Sequence, residues 1–172
     1  MPSGQSAFWI SRWFRRLRQT HNSVAHDVPQ EFVSKCDVIT VNAPLHEGTR
    51  GLVNASLLEH FKDGAWLVNT ARGAICDKEA VTAAVKSGKL NGYSGDVWNV
   101  QPAPRDHPWR TVKNPLGGGN GMVPHYSGTT LDAQTRYANG VKKIIDNYLS
   151  GRAQDSADII VGVGKYESSA CE

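Results

Sequence analysis

Cysteine is scarce in this sequence. Its three residues, Cys36, Cys76 and Cys171, are widely spaced and form no CxxC pair and no metal-ligand spacing. No metal site is therefore expected, and the usage reads as reduced thiols of an intracellular protein. No run of eighteen apolar residues occurs, so no membrane-spanning helix is expected. Neither a GxGxxG nor a Walker motif is present, which excludes the two common phosphate-cradling turns. Acidic residues are missing from positions 1–26, which hold four arginines: Arg12, Arg15, Arg16 and Arg18. The +3 net charge of the chain therefore sits at its amino terminus. The remainder is close to neutral and carries no electrostatic signature of nucleic-acid binding.

What is present fits a folded chain. At 172 residues and 40% apolar content there is material for one domain with a real core. The opening segment stands apart, with Trp9, Trp13 and Leu17 at helical spacing among the arginines. Two readings stay open for it: an organelle transit peptide or surface-binding helix, or a poorly ordered or non-native start.

From Glu31 onward strand-like and helix-like segments alternate. "CDVITVNAPL" is a short β-branched run, the type buried in parallel sheets. "NASLLEHFK" predicts a short helix with Asn54 as N-cap, and "GAWLVNTARG" a second strand. "DKEAVTAAVKSGK" predicts a helix capped by Asp77 and ending near Gly88. "LNGYSGDVW" reads as a third strand running to Trp98, and "GMVPHY" as a short fourth. "TTLDAQTRYANGVKKIIDNYL" predicts a long final helix whose apolar stripe is Leu131, Tyr137, Val141, Ile144, Ile145 and Tyr148. The glycine-rich "GGGNG", Gly117 to Gly121, lacks a preceding strand and a following helix and reads as a flexible turn. The expected architecture is an α/β parallel sheet with flanking helices.

In such sheets ligands bind beyond the carboxyl ends of the strands. That rule selects "PLH" after the first strand, "NTARG" after the second, "VWNVQ" after the third and "PHYSG" after the fourth. Arg72 offers a planar, permanently charged fork, suited to an anionic substrate, to a cofactor phosphate or to a surface salt bridge. His125 gains interest because its strand end neighbours those bearing Arg72 and Gln101. His46 follows the outermost strand and reads as a cofactor contact at most, and His107 as structural. Asp96 could accept a hydrogen bond from a cofactor amide, or make a local strand-end bond, because a carboxylate buried alone is costly.

Taken together, "CDVITVNAPLHEGTRGLVN", "GAWLVNTARGAICDKEAV", "GYSGDVWNVQPAPRDHPWR" and "MVPHYSGTTLDAQTRYANGVKKI" resemble the NAD-dependent formate dehydrogenase family of the D-2-hydroxyacid dehydrogenases. The resemblance covers roughly Phe32 to Gly162. "NVQPAPRDHPWR" and "PHYSGTTLDAQ" are the segments that separate this family from its relatives. The resemblance implies the carboxy-terminal half of a Rossmann-type sheet with flanking helices, an incomplete NAD-binding domain over residues 31–150. An unmatched basic segment, 1–30, would precede it and a tail, 151–172, would follow. It implies NAD as cofactor, formate as substrate and a homodimer for the full-length family. By the same likeness Arg72 would bind the formate carboxylate, and His125, paired with Gln101, would sit beside it. Pro44, Leu45, His46, Glu47, Gly48, Thr70, Asp96, His125, Tyr126, Ser127 and Gly128 would contact NAD. A cytoplasmic address is expected, with a mitochondrial one as the alternative.

The choice of Gln101 has a physical rationale. Oxidising a 2-hydroxy acid removes a hydride and a hydroxyl proton, and a Glu–His pair suits that task because the carboxylate raises the histidine's basicity. Formate has no hydroxyl proton to lose and needs positioning and charge stabilisation instead. An amide orients an imidazole without repelling an anion. The glycine-rich loop, the acidic ribose-binding residue and the substrate domain of the family have no counterpart in these residues, so the chain alone is expected to be inactive or nearly so. The alternatives are a D-2-hydroxyacid dehydrogenase fragment, and a non-catalytic remnant that binds nucleotide weakly or pairs with a full-length homologue.

Overall fold

The computed structural model describes residues 28–159, apart from the Ala157 side chain, together with the backbone of four short strands outside that range. Those are β1 (Ser6–Trp9) and β2 (Ser23–His26), which pair in parallel, and β7 (Val161–Gly162) and β8 (Lys165–Tyr166), which pair antiparallel. The expected helical spacing through Trp13 and Leu17 lies outside the described residues, and Trp9 closes β1. The chain divides into two compact units, Met1–Pro124 and His125–Glu172.

The first unit is built on a four-stranded, all-parallel sheet in the order β3 (Val38–Val41), β4 (Ala65–Asn69), β5 (Leu90–Gly95), β6 (Asn120–Met122). Two helices lie in the first two crossovers: α2 (Ala55–Glu59) between β3 and β4, and α3 (Lys78–Ser87) between β4 and β5. Their ends are fixed by the residues the sequence suggests. The Asn54 side chain accepts from the Leu57 amide, Asp77 accepts from the Ala80 amide, and Gly88 takes the left-handed conformation, φ 83°. A short helix, α1 (Pro29–Val33), precedes β3.

Alternation in the strands decides which face is covered. Ile39, Val41, Ala65, Leu67 and Tyr93 are buried and form one cluster with Leu57, Leu58 and Phe61 around α2 and with Val81, Ala84 and Val85 of α3. The opposite face keeps Val38 59% and Trp66 47% exposed. A parallel sheet ordinarily has both faces covered, so among the described residues of this unit one layer is open. Trp66 lies against Gly92, where a Cβ would come within 2.6 Å of its ring.

Two expectations change. The third strand ends at Gly95 rather than Trp98, because Trp98 turns its indole to donate to the Val123 carbonyl at 3.0 Å. The glycine-rich segment is more ordered than a flexible turn. Asn114 Oδ1 accepts from the Leu116 and Gly118 amides, and the Gly119 carbonyl accepts from Tyr93 N at 2.8 Å. In the second unit, α4 (Leu131–Leu149) is capped by Thr130, and Tyr137, Val141, Ile144, Ile145 and Tyr148 of its apolar stripe are exposed.

Candidate active site

Because the strands are parallel, the segments after β3, β4 and β5 all leave from the same end of the sheet. The first, Pro44–Arg50, is wound around Thr49, which is 5% exposed. Its hydroxyl donates to the Pro44 carbonyl at 2.8 Å and accepts from His46 N at 3.0 Å. His46 itself is exposed, and its Nδ1 accepts from Gly48 N at 3.1 Å. The imidazole is thus part of the loop's own geometry. Thr49 is a site-shaping residue that the sequence reading misses.

The second segment carries Thr70 and Arg72. Asn69, the last residue of β4, is wholly buried and turns its side chain into this segment. Its Oδ1 accepts from Ala71 N at 3.0 Å, and its Nδ2 donates to the Arg72 carbonyl at 2.9 Å. Thr70 Oγ1 lies 3.5 Å from Asn42 Oδ1, bridging the ends of β3 and β4. Arg72 is exposed, and its Nη1 donates to the Ala71 carbonyl at 2.7 Å. Among the described residues its guanidinium meets no carboxylate. Cys76, nearby, is no candidate nucleophile: burial pushes its thiol up to about 12.

The third segment runs from Asp96 to Gln101. Asp96 is 6% exposed, and its amide donates to the Asn69 carbonyl at 3.2 Å. Asn99 Nδ2 donates to the carbonyls of both Gly73 and Cys76, each at 2.9 Å, and so ties this segment to the one bearing Arg72. Gln101 is exposed at the start of a loop, next to a cis bond to Pro102. Arg110 secures that loop: Nε donates to the Pro104 carbonyl and Nη2 to that of Ala103, both at 2.8 Å, while the guanidinium sits 5.3 Å from the Trp98 ring centre.

His107 anchors the same loop, as a structural reading expects. It is 5% exposed, its ring centre is 5.1 Å from those of Trp98 and Trp109, and its Nδ1 accepts from Trp109 N at 3.2 Å. Burial holds the imidazole below the ordinary histidine range, with Lys78 and Arg110 adding to the effect and Asp106 and Glu79 opposing it. As pH falls, the unfolded chain takes up this proton before the folded one does. The stability that depends on the neutral ring is present above the unfolded histidine's pKa and is lost as pH drops below about 6.5. His107→Phe is therefore expected to flatten the decline of the urea midpoint between about pH 7 and about pH 5. Equal pH slopes in the two proteins would contradict this.

His125, Tyr126, Ser127 and Gly128 open the second unit, and all four are exposed. His125 has φ 68°, and among the described residues no other non-glycine residue has positive φ. Gln134 Nε2 donates to the Gly128 carbonyl at 2.9 Å, and Thr129 Oγ1 to that of Tyr126 at 2.7 Å, fixing the turn that leads into α4. Among the described residues no three His, Cys, Asp or Glu side chains cluster as metal ligands, and no helix is long and apolar enough to cross a membrane.

Residues 8–127 match the family model described as D-isomer specific 2-hydroxyacid dehydrogenase, NAD binding domain. The match begins inside the amino-terminal stretch that the motifs leave apart. A formate dehydrogenase of Chaetomium thermophilum is 61% identical over 142 residues, 82% of this chain and 38% of that protein. A Granulicella formate dehydrogenase structure superposes with TM-score 0.74 at 43% identity, covering 84% of this chain and 37% of the other. The NAD complex of the Staphylococcus aureus NAD-dependent formate dehydrogenase gives 0.69 at 43% identity, over 84% and 42% of the two chains. The chain spans about two-fifths of the length of several such curated relatives. A parallel sheet, strand-end loops and a family match over most of the sequence agree: the chain belongs to the NAD-binding domain family of the D-isomer specific 2-hydroxyacid dehydrogenases.

Proposed function

We propose that this chain carries the nicotinamide side of an NAD-dependent formate dehydrogenase, in which formate and NAD+ become CO2 and NADH by direct hydride transfer. One observation carries the reading. Arg72 presents an exposed guanidinium at a strand's carboxyl end; its backbone carbonyl is held by the buried Asn69 amide, its Nη1 donates to the Ala71 carbonyl, and among the described residues it meets no acid. An unneutralised guanidinium at this place suits a carboxylate.

The residues fit the nicotinamide end of the cofactor. Asp96 offers a largely buried acceptor beside the end of β5, and Thr49 holds the Pro44–Gly48 loop folded at the end of β3. When bound, NAD+ supplies the hydride acceptor. Arg72 would bind and orient the formate carboxylate, His125 would lie beside it, and Gln101 would orient the imidazole without adding negative charge. The left-handed backbone of His125 supports a functional role, since such strain gathers at sites where chemistry fixes a side chain. Pro44 to Gly48, Thr70, Asp96 and His125 to Gly128 would contact the cofactor. Pairing of subunits belongs to the same reading. The amide at position 101 argues against a 2-hydroxy acid as substrate.

Titration of the labelled chain with formate in the presence of NAD, followed at the Arg72 Nε–Hε resonance, tests the reading. A saturable shift is expected, with glycolate a weaker competitor. Arg72→Ala should weaken formate binding about 10- to 100-fold, measured by competition, the loss due to a charged hydrogen-bonding partner. Formate-dependent NADH production by the chain alone should be negligible, because no glycine-rich phosphate loop is present in the sequence. A wild-type resonance indifferent to formate would refute the assignment.

A further inference from the structure

Asn69 is wholly buried, and its side chain bonds to Ala71, Arg72 and Cys76. Its oxygen accepts from Ala71 N at 3.0 Å. Its two amide protons serve the Arg72 carbonyl at 2.9 Å and Cys76 Sγ at 3.4 Å. One side chain thus grips the backbone on both sides of the peptide that joins residues 71 and 72. The grip is itself anchored, since the Asn69 carbonyl accepts from Asp96 N, and Gly95 lets the strands close so far that a Cβ there would stand 2.5 Å from that carbonyl oxygen. Position 72 is therefore registered against β5 through Asn69, while Asn99 holds the carbonyls of residues 73 and 76 beyond it.

We propose that Asn69 is the positioning residue for Arg72: it fixes the backbone from which the guanidinium projects, and so sets the anion-binding geometry of the strand-end site. The proposal rests on the reading of Arg72 as the carboxylate anchor. The chemistry of the amide is specific. Leucine has the shape and none of the bonds. Glutamine is one methylene too long for a turn of two residues. Aspartate keeps the acceptor for Ala71 but, ionised, turns an oxygen rather than a donor toward the Arg72 carbonyl. Burial raises such a carboxyl's pKa, so acid restores the missing donor as an O–H.

The test uses the whole 172-residue chain, 15N-labelled. Two readouts are taken at residue 72, the heteronuclear Overhauser effect of its amide and of Nε, and the formate dissociation constant. Asn69→Asp at about pH 7 is expected to loosen both Arg72 nitrogens and to weaken formate binding about tenfold, with Ala71 still protected from hydrogen exchange. Lowering the pH to about 5 should restore order at Arg72 in the variant and leave the native chain unchanged, a response that a merely structural role would not give. Asn69→Ser serves if the aspartate variant does not fold. Its hydroxyl can still accept from the amide two residues on but cannot reach the Arg72 carbonyl, so the same split between Ala71 and Arg72 is expected. Native-like order and formate affinity at Arg72 in either variant at neutral pH would overturn the proposal. If the native Arg72 resonance ignores formate, the anchor reading fails, and the ligand-free Overhauser data still decide whether Asn69 positions the residue.

Discussion

Gly73→Ala is expected to cost this chain about 3 kcal/mol or more and to leave much of it unfolded at room temperature. A methyl group at that position would stand 2.1 Å from the Trp98 carbonyl carbon, 2.3 Å from its oxygen and 2.5 Å from Asn99 N. All three are main-chain atoms, so no rotamer change relieves the overlap. The residue's φ is not in the left-handed region, and the demand for glycine here is steric alone. The methyl would also force apart the Gly73 carbonyl and the Asn99 amide that donates to it at 2.9 Å. The Arg72 segment and the Gln101 segment would then separate at their point of closest approach. Gly117→Ala is the control. Its φ of 85° carries the ordinary left-handed penalty of about 1 kcal/mol, and nothing lies within 4 Å of the added carbon. Urea denaturation of the two variants separates the effects, and a Gly73→Ala midpoint equal to that of Gly117→Ala would refute the steric account.

The alternation of β-branched runs with capped amphipathic segments makes the sheet and its crossovers legible, because strand burial and helix capping are local demands. Asn54, Asp77 and Gly88 stand where those demands put them. The strand-end rule likewise selects Arg72, Asp96 and Gln101, since parallel strands must deliver their carboxyl ends to one side. What stays hidden is the scaffolding of the site. Asn69, Thr49 and Asn99 bond to main-chain groups whose positions depend on the folded loops, and an Asn or Thr after an apolar strand looks like any turn residue. Only the polar close to the apolar run "AWLVN" hints at Asn69. Asn114 is hidden in the same way, and its bonds to Leu116 and Gly118 turn an apparently slack glycine run into a fixed corner. The exposure of Trp66 and Val38 follows from the half-sheet that the resemblance implies, since periodicity alone marks a face as apolar without saying what covers it. The sequence singles out His125, but its left-handed backbone is not legible there.

Trp109→Ala should remove about 4 kcal/mol of stability, as full truncation of a buried tryptophan does. The side chain is wholly buried, with its ring centre 4.6 Å from that of Tyr93 on the covered face of the sheet. It also joins three elements. Its indole N–H donates to the Lys78 carbonyl at the start of α3, its carbonyl accepts from Asn120 Nδ2 in β6 at 2.7 Å, and its amide is held by His107. Trp109→Phe keeps most of the apolar contact and deletes only the indole donor, so about 1 kcal/mol is expected from that change, with any gap left by the smaller ring added to it. The difference between the two variants measures packing. The alanine variant should also raise hydrogen exchange between residues 101 and 112 more than in β4, because Trp109 is the deepest anchor of the loop that begins at Gln101. Exchange that rises uniformly across the sheet would instead mean that the loop and the core open together, and Gln101 could then not be loosened without unfolding the unit.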